Sequence, residues 1–198
     1  RPSRRWWLKP PDQTMISANA KDGFDHLLIT AMKSTLVASS DDLCEVRVIE
    51  DTSEIKEKKV VILTVSSYLF RLMAFVHFTL NEPMKAHLAK ITRAEVADMD
   101  EQAFYDVISE CGNVCCGSLN RELGRFYPHI GMSTPNVLDR NCIDYLPTLD
   151  AGYIRHFEVR INDSIIMHAS LCVCDYADLD FSVDKTESTE DTGELEMF

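Results

Sequence analysis

The chain has 198 residues, of which 45% are hydrophobic and 26% charged, a balance that suits one well-buried globular domain with tails and leaves little room for a second. Its net charge of −12 argues against nucleic acid as the main partner and against anionic membrane surfaces, both of which call for a basic face. No apolar run approaches the roughly 20 residues of a spanning helix, and no stretch has the make-up of a secretory signal.

The first fourteen residues, RPSRRWWLKPPDQT, are basic, hold three prolines and carry no helix or strand period. They read as an appended or unstructured leader, with Met15 as a natural start. From Ser17 to about Leu36, the residues Phe24, Leu27, Leu28, Ala31, Met32 and Leu36 recur at helical spacing. ASSDD at 38–42 ends that helix, and CEVRVIE at 44–50 alternates as a half-buried strand does. After a charged connection, VVILTVSS at 60–67 and RLMAFVHFTL at 71–80 predict two antiparallel strands across a short loop.

Asn81 can cap the next helix, with Glu82 and Pro83 in its first turn and an end near Ile91. A longer helix begins near Asp98 or Asp100 and runs to about Leu123, where Gly124 offers a stop. HIGMSTPNVL at 129–138, YIRHFEVRIN at 153–162 and SIIMHASLCVCDY at 164–176 are strand-like, with a tight turn at IND. From about Asp178 the chain turns acidic and reads as a disordered tail. The expected organisation is a leader over 1–14, a domain over 15–177 and a tail over 178–198. The order of elements fits an α+β fold, a largely antiparallel sheet with helices packed on it.

Seven cysteines are scattered along the chain, several of them in apolar runs. An odd number of buried, small, apolar thiols is the pattern of a reducing cytoplasm rather than of a disulfide framework. Cys111, Cys115 and Cys116 on one helix do not make a usual zinc spacing, and Cys172-x-Cys174 lacks a clear partner pair. His168, Cys172 and Cys174 can share one strand face, where core packing is the commoner role. No metal site is expected.

The long helix carries the chemistry-bearing pattern. At roughly 100° per residue, Phe104, Ile108, Cys111, Cys115 and Leu119 fall on one side and form the packing face. Asp106, Glu110, Asn113 and Gly117 fall on the other, within an arc of roughly 60°. Asparagine and glycine are poor helix formers, and a glycine inside a helix costs about 1 kcal/mol relative to alanine. A solvated face accounts for Asp106 and Glu110 and stands as one reading of the row. A docking or catalytic face is the other and accounts for the remaining two: glycine admits a close backbone, and an asparagine amide offers a donor and an acceptor that can orient water.

The pattern Asp106-x3-Glu110-x2-Asn113, with Gly117 four residues on and Pro135 after the helix, resembles the CheC/CheX/FliY family of chemotaxis phosphatases. The resemblance extends to the order of elements over roughly residues 16–176. A single copy of the motif points to the CheX-like branch and a CheC-like fold. It implies hydrolysis of the aspartyl-phosphate of a response-regulator receiver domain such as CheY. Glu110 would pair with a receiver lysine, and Asn113 would align the attacking water. Asp106 and Gly117 would belong to the docking surface. No cofactor of the protein's own is implied, because the Mg²⁺ sits in the receiver. The resemblance also makes a homodimer an expectation. Two other readings stand beside it: a non-catalytic module of the same fold that binds a receiver or another signalling partner, and a metal or redox protein built on the cysteines.

Overall fold

A computed structural model describes residues 16–162 and 164–185, so the leader over 1–14 and the chain beyond 185 lie outside the described residues. Helix α1 (Ala18–Thr35) starts at Ser17, whose hydroxyl accepts from the Ala20 amide. Strands β1 (Cys44–Ile49), β2 (Lys59–Ser66) and β3 (Phe70–Phe78) follow. Then come helix α2 (Glu82–Thr92), capped by Asn81, and helix α3 (Glu101–Leu123), capped by Asp100. Two short strands, β4 (Gly131–Met132) and β5 (Asn136–Asp139), precede the long hairpin of β6 (Tyr153–Ile161) and β7 (Ile165–Asp175).

The strands form one antiparallel sheet in the order β1-β6-β7-β3-β2, with β4 and β5 both on the outer edge of β2. The fold is therefore α+β, as expected. Alternation decides which residues face the helices. Val61, Leu63 and Val65 of β2, Phe70, Leu72, Ala74, Val76 and Phe78 of β3, and Met167, Ala169, Leu171 and Val173 of β7 join the α1 and α3 residues in the main core. The opposite face carries a second, smaller core around Val60, Phe75, Cys172 and Cys174.

That second face is covered by a run of 3₁₀ turns, Arg140–Leu149, which the sequence pattern does not announce. Its buried residues, Ile143 and Leu146, stand three apart, the period of a 3₁₀ helix rather than of a strand or an α-helix. The predicted strand over 129–138 is in fact two, broken at Ser133–Pro135. Proline lacks the N–H that a ladder needs, so pairing stops there.

Packing against the domain continues past the expected end at 177. Ser17 donates its backbone N–H to the Leu179 carbonyl at 3.0 Å, and Ile16 bridges Leu179. Leu179 and Phe181 are buried, and Val183 packs against the same core. Phe181 stacks edge-on against Phe24, with centroids 5.0 Å apart, and lies beside Phe126 and Tyr127. A Cβ on Gly23 would stand 2.6 Å from a Phe181 ring carbon, so the ring fits only over a glycine. The acidic composition of this stretch concealed an alternation of Leu179, Phe181 and Val183 that a buried strap requires.

Candidate functional site on helix α3

The Asp100 carboxylate accepts from the Ala103 amide at 2.8 Å and starts α3; the helix stops at Gly124. Phe104, Ile108, Cys111, Cys115, Leu119 and Leu123 are buried. The buried arc runs further round the helix than the apolar pattern, to Gly112 and Cys116, because α3 packs on α1 as well as on β2. Burial pushes the thiols of Cys111 and Cys116 up to about 11, and that of Cys115 upward too. None offers a thiolate near neutral pH. These cysteines are packing residues.

The outward row survives folding. Asp106 and Glu110 are exposed, and Asn113 and Gly117 are half-buried. Asp106 accepts from the Gln102 amide at 2.8 Å, one turn earlier. The Asn113 amide donates to the Glu110 carboxylate at 3.4 Å, a long bond that either group can give up to a partner at little cost. A Cβ at Gly117 would meet only Met132 Sδ, at 4.0 Å, so nothing in the chain's own packing requires glycine there.

Beside this row, α3 contacts β4 and β5. Between those strands the Ser133 amide donates to the Thr64 carbonyl at 2.8 Å, and the Ser133 hydroxyl accepts from the Thr64 amide at 3.0 Å. One residue of the bulge thus satisfies both ladder groups of Thr64, and the bulge holds Pro135 on the edge of β2. Ser133 is not singled out by the sequence pattern, although a serine just before Thr-Pro in a strand-like run is an available signal; Gly112, beside the cysteines, is an unusual detail of the motif.

His168, Cys172 and Cys174 do share a strand face, but it is the one away from the helices. His168 Nδ1 lies 2.7 Å from a Glu57 oxygen, both buried. Across the ladder from His168 is His77, whose Nε2 lies 3.1 Å from the Ser170 hydroxyl. Among the described residues, no group of three or more His, Cys, Asp or Glu side chains is placed to hold a metal ion. No described helix is long and apolar enough to cross a membrane.

No family model matches the sequence, and no curated protein matches it. Solved structures do. The chemotaxis protein CheX of Desulfovibrio desulfuricans superposes with a TM-score of 0.56 at 13% identity, over 76% of this chain and 99% of that one. CheX of Vibrio vulnificus gives 0.56 at 15% identity, over 76% and 99%. A CheX–CheY–BeF3–Mg²⁺ complex of Borrelia burgdorferi gives 0.56 at 11% identity, over 76% and 97%. The chain has the CheX and CheC-like fold.

The likeness covers nearly the whole length of each CheX chain. At these identities it is a likeness of fold.

Proposed function

We propose that this protein is a phosphatase that hydrolyses the aspartyl-phosphate of a CheY-like response-regulator receiver domain. The observation that carries the reading is the pairing of Glu110 and Asn113, one turn apart and outward, on a face whose glycine has no internal packing role. The CheX-like fold, and the presence of CheY in one complex of that fold, support a receiver as the partner class.

An acyl phosphate is already labile, and the receiver's own Mg²⁺ offsets the charge of the phosphoryl group. What a partner protein can add is a water held in line with the breaking P–O bond, and electrostatic fit. The Asn113 side chain has an acceptor for a water proton and a donor for an oxygen lone pair. Glu110 supplies the anionic anchor, pairing with a receiver lysine and giving up its long bond to Asn113. The phosphorus takes the water oxygen, the receiver's aspartate leaves as carboxylate, and inorganic phosphate departs. No nucleophile on this chain is consumed. Gly117 and Asp106 line the approach, glycine by leaving room and aspartate by adding charge.

The reading includes a cytoplasmic protein and a homodimer. The outer edge of β1 pairs with no strand among the described residues, so it is free to extend a sheet. Sedimentation at micromolar concentration measures the oligomer directly.

The test is release of phosphate from a panel of phosphorylated receivers at substoichiometric protein. Wild type shortens the phospho-receiver lifetime, and Asn113→Ala does not. Undiminished release by a folded Asn113→Ala protein rejects the reading. Binding of a phospho-receiver without any shortened lifetime identifies the module as non-catalytic.

A further inference from the structure

Helix α3 carries charge at both ends of its outer face, and water positioning by Glu110 and Asn113 uses only the acidic end. Eleven residues are three turns of an α-helix to within about 20°, so Arg121 points the same way as Glu110, with their Cα atoms roughly 16 Å apart along the axis. Val114 and Gly117 lie between them, four and seven residues on from Glu110. The stripe reads acid, apolar, glycine, base, with Asn113 on its border.

Folding leaves this stripe open. Val114 is exposed, although a β-branched side chain is a poor choice for a solvated helix position. The Arg121 side chain is 70% exposed and pairs with the adjacent Glu122 at 3.3 Å, a carboxylate that Arg125 holds more closely, at 2.9 Å. Glu122 itself is only 25% exposed, turned towards the packed side. The C-terminal half of the outer face is therefore positive, in a chain of net charge −12. A surface pair of this kind contributes little, so Arg121 can exchange it for a partner's carboxylate at small cost. The helix dipole favours a cation anywhere round the last turn, but it does not select the side that Glu110 and Gly117 share.

We propose that Arg121 and Val114 complete the receiver-docking surface. Arg121 pairs with a carboxylate on the receiver, set apart from the lysine that Glu110 holds by the length of the stripe, and Val114 covers an apolar side chain between them. The inference rests on the reading of this face as a receiver phosphatase's. Opposite charges at the two ends fix the sense in which the receiver lies along α3, because in the reversed pose each end meets like charge. An apolar centre inside a charged rim is the usual anatomy of a protein interface. Arg121 stands eight residues, roughly 12 Å, from Asn113, so it acts on recognition and not on the attacking water.

The experiment takes a CheY-like receiver from the panel and measures two quantities with the full chain: phosphate release from its phosphorylated form, and equilibrium binding of its beryllofluoride form. Arg121→Glu is expected to raise the dissociation constant and the half-saturating concentration roughly tenfold, with the saturating rate within about twofold of wild type. Arg121→Gln gives a smaller rise, and Val114→Ser a rise of several-fold, both with an unchanged thermal midpoint. The Arg121 effects shrink as salt is added. Arg125→Glu, the same charge change one turn further on, stays close to wild type. Equal effects of Arg121→Glu and Arg125→Glu overturn the proposal, since they report net charge alone. So does unchanged binding by a folded Arg121→Glu protein, or a fall in the saturating rate alone. Wild-type binding without phosphate release rejects the phosphatase reading, and the dissociation constants of the Arg121 variants then decide this one. Failure of wild type to bind any receiver of the panel overturns both.

Discussion

A Cβ atom on Gly112 would stand 2.9 Å from Leu63 Cδ1 and 3.1 Å from Val61 Cγ1, so α3 rests on β2 through a glycine. That contact sets how far the Glu110–Asn113 face stands above the sheet. Gly112→Val is expected to lift the helix or force β2 side chains off their rotamers. The loss should be about 1–3 kcal/mol, read from urea unfolding, and phosphate release should fall with it.

Gly117 is expected to behave oppositely. With only Met132 Sδ at 4.0 Å, an alanine there is accommodated and gains helix propensity. Gly117→Ala should hold or raise stability by about 0.5–1 kcal/mol. The same variant should raise the receiver concentration needed for half-maximal phosphate release, because its methyl group stands on the docking face.

Glu110 and Asn113 should separate kinetically. Asn113→Ala is expected to lower the rate at saturating phospho-receiver by roughly a hundredfold or more, the scale of a misplaced reacting group. Glu110→Ala should act chiefly on the half-saturating concentration and should make association less sensitive to salt. Neither should shift the thermal midpoint appreciably, since Glu110 is exposed and their mutual bond is 3.4 Å long.

Phe181 tests the C-terminal strap. It is buried over Gly23 and touches Phe24, Phe126 and Tyr127. Phe181→Ala should cost about 3 kcal/mol in chemical denaturation. A chain ending at 177 should be destabilised further, because it also loses Leu179 and its backbone bond to Ser17.

Burial lowers His77 to about 4 from its ordinary 6.5, with Glu57, His168, His156 and Arg140 facing it. The folded state thus resists a proton that the unfolded chain accepts. Stability should fall as pH drops from about 6.5 to about 4, by on the order of 3 kcal/mol from this residue, with the unfolded state binding more protons throughout that window. Glu57, held low by its hydrogen bond to His168 against the opposing effect of burial, adds a loss only below the ordinary carboxylate range. Urea midpoints measured across pH should show this slope, and His77→Leu should flatten it between pH 6.5 and 4.

Much of the fold was legible because its elements are strongly periodic. The spacing of Phe24, Leu27, Leu28, Ala31 and Met32 marked α1, and Asn81 was readable as the cap of α2; the start of α3, open between Asp98 and Asp100 in the sequence, is at Asp100. Two features escaped. The 3₁₀ cover over 140–149 follows a period of three that neither strand nor α-helix templates detect, and the strap over 179–183 lies within an acidic stretch whose average hides its apolar alternation.

The sequence by itself determined which side chains could share the outer face of α3, because 3.6 residues per turn leaves no other place for Asp106, Glu110, Asn113 and Gly117 once the apolar residues turn inward. Only the tertiary structure decided what the two helix glycines are for. Gly112 is set against Leu63 and Val61, while Gly117 opens onto little more than one methionine sulfur. Likewise, only strand order brought Arg71 opposite Cys174 and His77 opposite His168. Helical faces are local geometry, fixed by a short stretch of backbone. Contacts between residues far apart in the chain depend on which strands pair and in what register, and a one-residue slip would move every one of them to the other face.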